Sequence, residues 1–146
     1  PCRLVILGEG EQREGLQSLA QLLGIADDLH MPGFVDNPLP WMSRAAVFVL
    51  SSSWEGLPGA LIQAMACGSR VVSTDCPSGP AEILEHGRWG RLVPVDDMAA
   101  LASTIEGVLD APSAPDARLR AMDFGLEHAV NAYLAALALP LRAEAA

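Results

Sequence analysis

Apolar residues fall along this chain in short unbroken blocks that alternate with longer stretches of helical spacing. Arg3-Leu4-Val5-Ile6-Leu7 is a β-branched run closed by Gly8, and it predicts a buried strand. From Glu11 to Leu23, Leu16, Leu19, Ala20, Leu22 and Leu23 recur on one helical face, with Gly24 as the stop signal. Leu29-His30-Met31 predicts a short strand ended by Pro32-Gly33, and Asn37 to Arg44 a helix with prolines in its first turn. Ala45-Ala46-Val47-Phe48-Val49-Leu50 is the clearest buried strand in the sequence. It runs into a serine-rich turn, after which Pro58 opens a helix from Gly59 to Cys67 that Gly68 ends. Arg70-Val71-Val72-Ser73-Thr74 forms the next strand, followed by a short helix around Ala81 to Glu85 and a strand at Arg91-Leu92-Val93. Helices near Met98–Leu109 and Arg118–Leu137 complete the pass, separated by the linker-like segment from Ala111 to Pro115.

Strands alternating with helices predict an α/β fold, a Rossmann-like and mainly parallel sheet with helices on both faces. Ligands of such sheets sit at the carboxyl ends of the strands. The loops after Leu7, Leu50 and Thr74 are therefore the places to look for chemistry.

Composition narrows the partners. With 146 residues, 51% of them hydrophobic, residues 1–146 are expected to form a single domain with a sizeable core. A formal charge of −9 repels phosphate backbones and anionic lipid, which argues against nucleic acid. Cys2, Cys67 and Cys76 match no zinc spacing and fit free thiols in a reducing cytosol. His30, His86 and His128 lie far apart and read as structural or surface residues, so no metal is expected. No apolar stretch approaches the roughly 20 residues a spanning helix needs, and the first residues lack a basic region followed by an apolar one, so neither a membrane span nor export is expected. The expected location is the cytoplasm. Because Pro1-Cys2-Arg3 runs straight into a strand, the chain is expected to begin partway through a longer protein.

Three loops carry candidate chemistry. Gly8-Glu9-Gly10 is a Gly-x-Gly turn feeding a helix whose free N–H groups suit a phosphate. A tight βα turn is the plain alternative, and a dinucleotide site is disfavoured because Arg13 stands where its third glycine belongs. Ser51-Ser52-Ser53-Trp54-Glu55-Gly56-Leu57-Pro58-Gly59 places a carboxylate at a strand end, just before a helix N-terminus. That pairs an acceptor for hydroxyls with donors for phosphate and suits a sugar diphosphate, unless Glu55 only complements the helix dipole. Gln63 is the one strongly polar side chain between Gly59 and Cys67, so it has a protein partner, faces a cleft, or is simply exposed. In the loop from Cys76 to Ile83, Ser78 and the Gly79 backbone either cap the next helix or hold a ligand oxygen.

The stretch from Ser51 to Val95 strongly resembles the nucleotide-binding core of the family 4 glycosyltransferases, retaining enzymes of the GT-B fold. Leu4 to Asn37 looks like the segment preceding that core, and Arg118 to Leu137 like its closing helices. The resemblance implies the C-terminal, donor-binding half of a GT-B fold, with the N-terminal acceptor domain absent from this chain. It places Glu55 at the first acid of the family's E-x7-E motif, which holds donor-sugar hydroxyls, and makes it the catalytic candidate. The second acid falls on Gln63. An amide keeps one acceptor for the ribose hydroxyls but loses the second oxygen and the charge assistance, a change of about 1–2 kcal/mol. The segment Gly56, Leu57, Gly59 and Ala60 matches the phosphate-contacting turn, the amides of Gly59 and Ala60 being the implied donors, while Pro58 has no N–H. Gly33, Phe34 and Val35 match the part that meets the base through its main chain, and Gly8 and Gly10 the lining of the cleft.

The resemblance implies transfer of a sugar from a nucleoside diphosphate sugar to an acceptor hydroxyl, with retention and without a metal cofactor. The WEGLP form of the motif is most similar to users of UDP-sugars, with guanosine and adenosine carriers open. The family's arginine and lysine that neutralise the departing diphosphate find no counterpart in Arg3, so the isolated chain is expected to be inactive. Any contact with a membrane, peripheral to its inner face, would come through the absent half. Two alternatives stand beside this: a degenerate, non-catalytic nucleotide-binding or regulatory module, suggested by Gln63, and a GT-B-like sugar-nucleotide epimerase.

Overall fold

The computed structural model describes residues 2–140, divided between Pro38 and Leu39 into two units, each with its own parallel strands. In the first unit β1 (Leu4–Leu7) pairs in parallel with β2 (Leu29–Gly33), and α1 (Arg13–Leu22) connects them. Leu4 lies opposite Leu29 and Val5 opposite His30, with a register shift before Leu7 meets Gly33. The end of α1 follows the sequence: Gly24 takes φ +71°, its N–H donating to Gln21 and that of Ile25 to the carbonyl of Ala20. A left-handed glycine of this kind satisfies the last carbonyls of a helix.

Two expectations for this unit need correction. β1, predicted to be buried, is half open, with Leu4 52% and Val5 41% exposed. Its apolar composition signals a demand for cover, and within its unit only β2 pairs with it. β2 runs past Met31 and includes Pro32 and Gly33. The Gly33 carbonyl, at φ +86°, accepts the Gly8 N–H at 2.8 Å and so extends the strand contact beyond the proline.

The second unit is a three-stranded parallel sheet in the order β3 (Phe48–Leu50), β4 (Val71–Thr74), β5 (Arg91–Val93). β4 is its middle strand and every residue in it is buried. Around the strands come α2 (Leu39–Met42), α3 (Gly59–Ala66), α4 (Pro80–Ile83), α5 (Met98–Asp110), α6 (Arg118–Ala121) and α7 (Leu126–Ala136). Leu61, Ala64 and Met65 of α3 pack with Val71, Ile83, Leu84, Ala117 and Ala121 to form the core. α3 is almost wholly apolar in sequence yet two-faced in space, because Gly59, Ala60, Gln63 and Ala66 recur at helical spacing on the opposite, exposed side. α5 begins at Asp97, whose Oδ1 accepts the Ala100 N–H at 2.9 Å.

Helix lengths differ where proline and glycine act. The helix predicted from Asn37 to Arg44 is the single turn α2: Pro38 disfavours helical geometry at Asn37, and Pro40, which has no N–H, takes a place in the first turn. Phe48 starts β3 three residues later than predicted, and its residues are half-buried rather than buried. The helix predicted over Arg118–Leu137 is split into α6, a 3-10 turn at Met122–Phe124, and α7, with Gly125 extended at ψ 153° between them.

Candidate functional site

In the second unit the loop from β3 to α3 is held from three directions. The Ser52 hydroxyl donates to Glu55 Oε1 at 2.7 Å, so the half-buried carboxylate is tied to its own loop. The Thr74 hydroxyl, buried at the end of β4, donates to the Ser52 carbonyl and, more weakly at 3.4 Å, to that of Leu50. On the far side Gly79, at φ +93°, stacks its Cα directly on the turn. A Cβ there would lie 2.5 Å from Pro58 Cδ and 2.6 Å from the Gly56 carbonyl oxygen. Two successive βα loops are thus packed into one rigid block at the carboxyl ends of β3 and β4.

The turn delivers the chain into α3 with Pro58 as the residue before the helix, and no side chain caps it. The Leu61 N–H reaches the Pro58 carbonyl at 3.0 Å, whereas the Gly59 and Ala60 N–H groups meet no acceptor among the described residues. Free amides in the first turn of a helix carry its positive dipole end and suit an anion. Gln63 lies one turn further along the same exposed face, and its side chain makes no hydrogen bond among the described residues. Of the options open from sequence, simple exposure is the one observed. Gly59, Ala60 and Gln63 therefore share the exposed face of α3, and the half-buried Glu55 stands in the loop that leads into it, with Gly56 and Leu57 exposed.

In the first unit Gly8, at φ +104°, makes the sharp exit from β1, and the Gly10 carbonyl accepts the Arg13 N–H at 3.1 Å. Phe34 is 79% exposed and Val35 half-buried just after β2. Arg13, in place of the third glycine of a dinucleotide motif, has a defined job. Its guanidinium donates to both Glu9 oxygens at 2.7 Å and to the Met31 carbonyl at 3.2 Å, clamping the glycine turn to β2. The hydrogen bond from Arg13 holds the Glu9 carboxyl below its usual 4.5, the Arg13 charge adding to this and desolvation opposing it. A depressed folded-state value means the pair supports the fold above about pH 4.5 and ceases to as pH falls through that lower value. Carboxyl NMR titration should find the Glu9 midpoint below 4.5 and return it toward 4.5 in Arg13→Gln. A midpoint that is the same in both proteins would show that the clamp is not populated in solution.

Ser78, expected as a cap or an oxygen ligand, caps nothing: Gly79 is the capping position before α4, no side chain caps the helix, and Ser78 is itself at φ +66°. Ser52 and Thr74 were not singled out from sequence. Ser52 stands in a run of three serines, and nothing local tells which one turns inward. A concavity of about 530 Å3 borders Asp75, Leu92, Val93, Pro94 and Val95 near the ends of β4 and β5, and takes in none of the residues named for the site. Among the described residues no group of three or more His, Cys, Asp or Glu comes together to hold a metal, and no helix is long and apolar enough to cross a membrane.

Comparison with known proteins bears on this geometry. The family profile described as Glycosyl transferases group 1 matches residues 1–111. The chain is similar to the N-acetylgalactosamine-N,N'-diacetylbacillosaminyl-diphospho-undecaprenol 4-alpha-N-acetylgalactosaminyltransferase of Campylobacter jejuni, with 33% identity over 108 residues. That match takes in 74% of this chain and 30% of the relative, so the chain spans less than a third of that relative's length. Among solved structures, it resembles the apo form of the lipopolysaccharide outer core galactosyltransferase WaaB, with TM-score 0.81 and 23% identity over 93% of this chain and 40% of the other. It also resembles Anabaena Alr3699/HepE in complex with UDP, with TM-score 0.76 and 20% identity over 94% of this chain and 40% of the other. At those identities the two structures speak for the fold, a Rossmann-like parallel α/β fold of the kind found in GT-B glycosyltransferases.

Proposed function

The chain belongs to the glycosyl transferases group 1 family, its match covering residues 1–111, and from that premise we propose that it is the donor-binding part of a retaining, GT-B-type glycosyltransferase. The observation that carries this reading is the block in the second unit: a half-buried carboxylate in the loop that leads into α3, and two unpaired helix amides and a polar side chain on the exposed face of that helix. Glu55 would accept hydrogen bonds from hydroxyls of the donor sugar. Gly59 and Ala60 would donate to the diphosphate, with Gly56 and Leu57 shaping the turn, and Gln63 would meet the ribose. In the first unit Gly8, Gly10, Phe34 and Val35 are the proposed contacts to the nucleotide, on the resemblance alone.

The proposed reaction breaks the bond between the sugar's anomeric carbon and the diphosphate oxygen, and forms a bond from that carbon to the acceptor oxygen with retained configuration. The acceptor hydroxyl loses its proton and the nucleoside diphosphate leaves. The acceptor, and the cations that neutralise the leaving group, are assigned to a further domain, so residues 1–146 are proposed as one donor-binding domain that does not turn over alone. Uridine diphosphate is the preferred carrier, in keeping with the UDP bound by the HepE neighbour. No metal cofactor is assigned, and any membrane contact is assigned to the further domain.

Titration calorimetry with UDP, GDP, ADP and NAD tests this. One nucleoside diphosphate should bind, and Gln63→Glu should tighten it about tenfold by restoring the second ribose acceptor. Binding of none of them to either form would overturn the reading. Gln63 also favours a second reading, a nucleotide-binding module without catalysis, and a longer protein containing this chain that binds UDP-sugars but neither transfers nor hydrolyses them would establish it.

A further inference from the structure

We propose that Ser52 and Thr74 are positioning residues that hold the Glu55 carboxylate in a fixed orientation, with one oxygen occupied and the other offered to the ligand. This rests on the reading of Glu55 as the acceptor of donor-sugar hydroxyls. An ionised carboxylate has two oxygens and swings freely when neither is held. Here Oε1 receives the Ser52 hydroxyl at 2.7 Å, and Oε2 has no partner among the described residues. Ser52 is in turn fixed through its main chain, where its carbonyl accepts the Thr74 hydroxyl. Thr74 is 5% exposed and closes β4, the strand paired on both sides, with Leu50 opposite Ser73 and Thr74 opposite Val93. The chain of contacts therefore references the carboxylate to the central, fully buried strand of the unit. A carboxylate held this way before the ligand arrives loses little freedom on binding, which raises affinity and selectivity for whatever meets the free oxygen.

The orientation acts on the sugar and leaves the diphosphate contacts alone, so the readout is the preference for a UDP-sugar over UDP. The probes are UDP, UDP-galactose and UDP-N-acetylgalactosamine, titrated into the 146-residue chain and variants matched for fold by circular dichroism. Glu55→Gln sets the reference loss of preference. Ser52→Ala and Thr74→Val should each lower the preference about three- to tenfold while leaving UDP affinity unchanged, and Ser52→Thr and Thr74→Ser should restore it. A purely structural role would weaken UDP and UDP-sugar together and leave the preference intact. If Glu55→Gln abolishes the preference but Ser52→Ala and Thr74→Val keep it, the positioning role is overturned and the donor-site reading stands. If the wild type shows no preference, or Glu55→Gln does not change it, the assignment of Glu55 falls and the positioning role falls with it.

Discussion

Gly79→Ala should destabilise the chain by about 2–4 kcal/mol, the sum of two costs that act at one atom. The first is conformational: a residue with a Cβ is strained at φ +93°, ψ −68°, where the present residue has none. The second is steric. The new methyl would sit 2.5 Å from the Pro58 ring and 2.6 Å from the Gly56 carbonyl oxygen. Neither neighbour is the free end of a flexible side chain, so relief requires the β3–α3 turn to move as a body. The same shift would carry Gly59 and Ala60 with it, and UDP affinity should fall together with stability. Urea unfolding checks the first part, with Gly10→Ala as the control. A Cβ at Gly10 meets nothing within 4 Å and the residue is not at positive φ, so its midpoint should stay within about 0.5 kcal/mol of wild type. Equal midpoints for the two variants would show that the turn yields freely and that the block is soft.

Leu61→Ala should cost about 2–5 kcal/mol through the cavity it opens beneath α3. Leu61 is fully buried and touches the same core as Met65, Ile83 and Leu84. Gln63→Ala, two residues on, removes an exposed side chain and should change stability by no more than about 0.5 kcal/mol. The contrast, measured by thermal or urea unfolding, is the sharpest test of which way α3 faces. A similar loss in both would mean that Gln63 is packed in solution and that the exposed face described above is wrong.

Much of the second unit was legible in the sequence because its signals are local. Val71 to Thr74 reads as a strand from a β-branched run after Gly68, and α3 from Pro58 before it and Gly68, at φ +80°, after it. β1 misled for a physical reason: Leu4-Val5-Ile6-Leu7 states that the strand is apolar, and burial depends on partners that the run does not encode. The break at Gly125 was present as a letter, yet helical spacing on either side of it spoke louder than one residue that helices tolerate at a cost of about 1 kcal/mol. At the site, spacing alone places Glu55, Gly59, Ala60 and Gln63 around one loop and one helical turn. The contacts that stiffen the loop come from Thr74 and Gly79, 19 and 24 positions after Glu55, and no local pattern joins them. Arg13 shows the converse: a residue that spoils the dinucleotide motif turned out to be the clamp of that same glycine turn.

The two-sided build of α3 also bears on how such a protein changes over generations. Substitutions at Ala60 or Gln63 alter what the surface presents without disturbing Leu61, Ala64 or Met65. On the proposed reading, selection for folding and selection for ligand act on different residues of one helix only eight residues long. On that reading, a lineage could exchange an amide and a carboxylate at position 63 by a single step of nearly neutral stability, changing the contact offered to the ligand while its scaffold stays put.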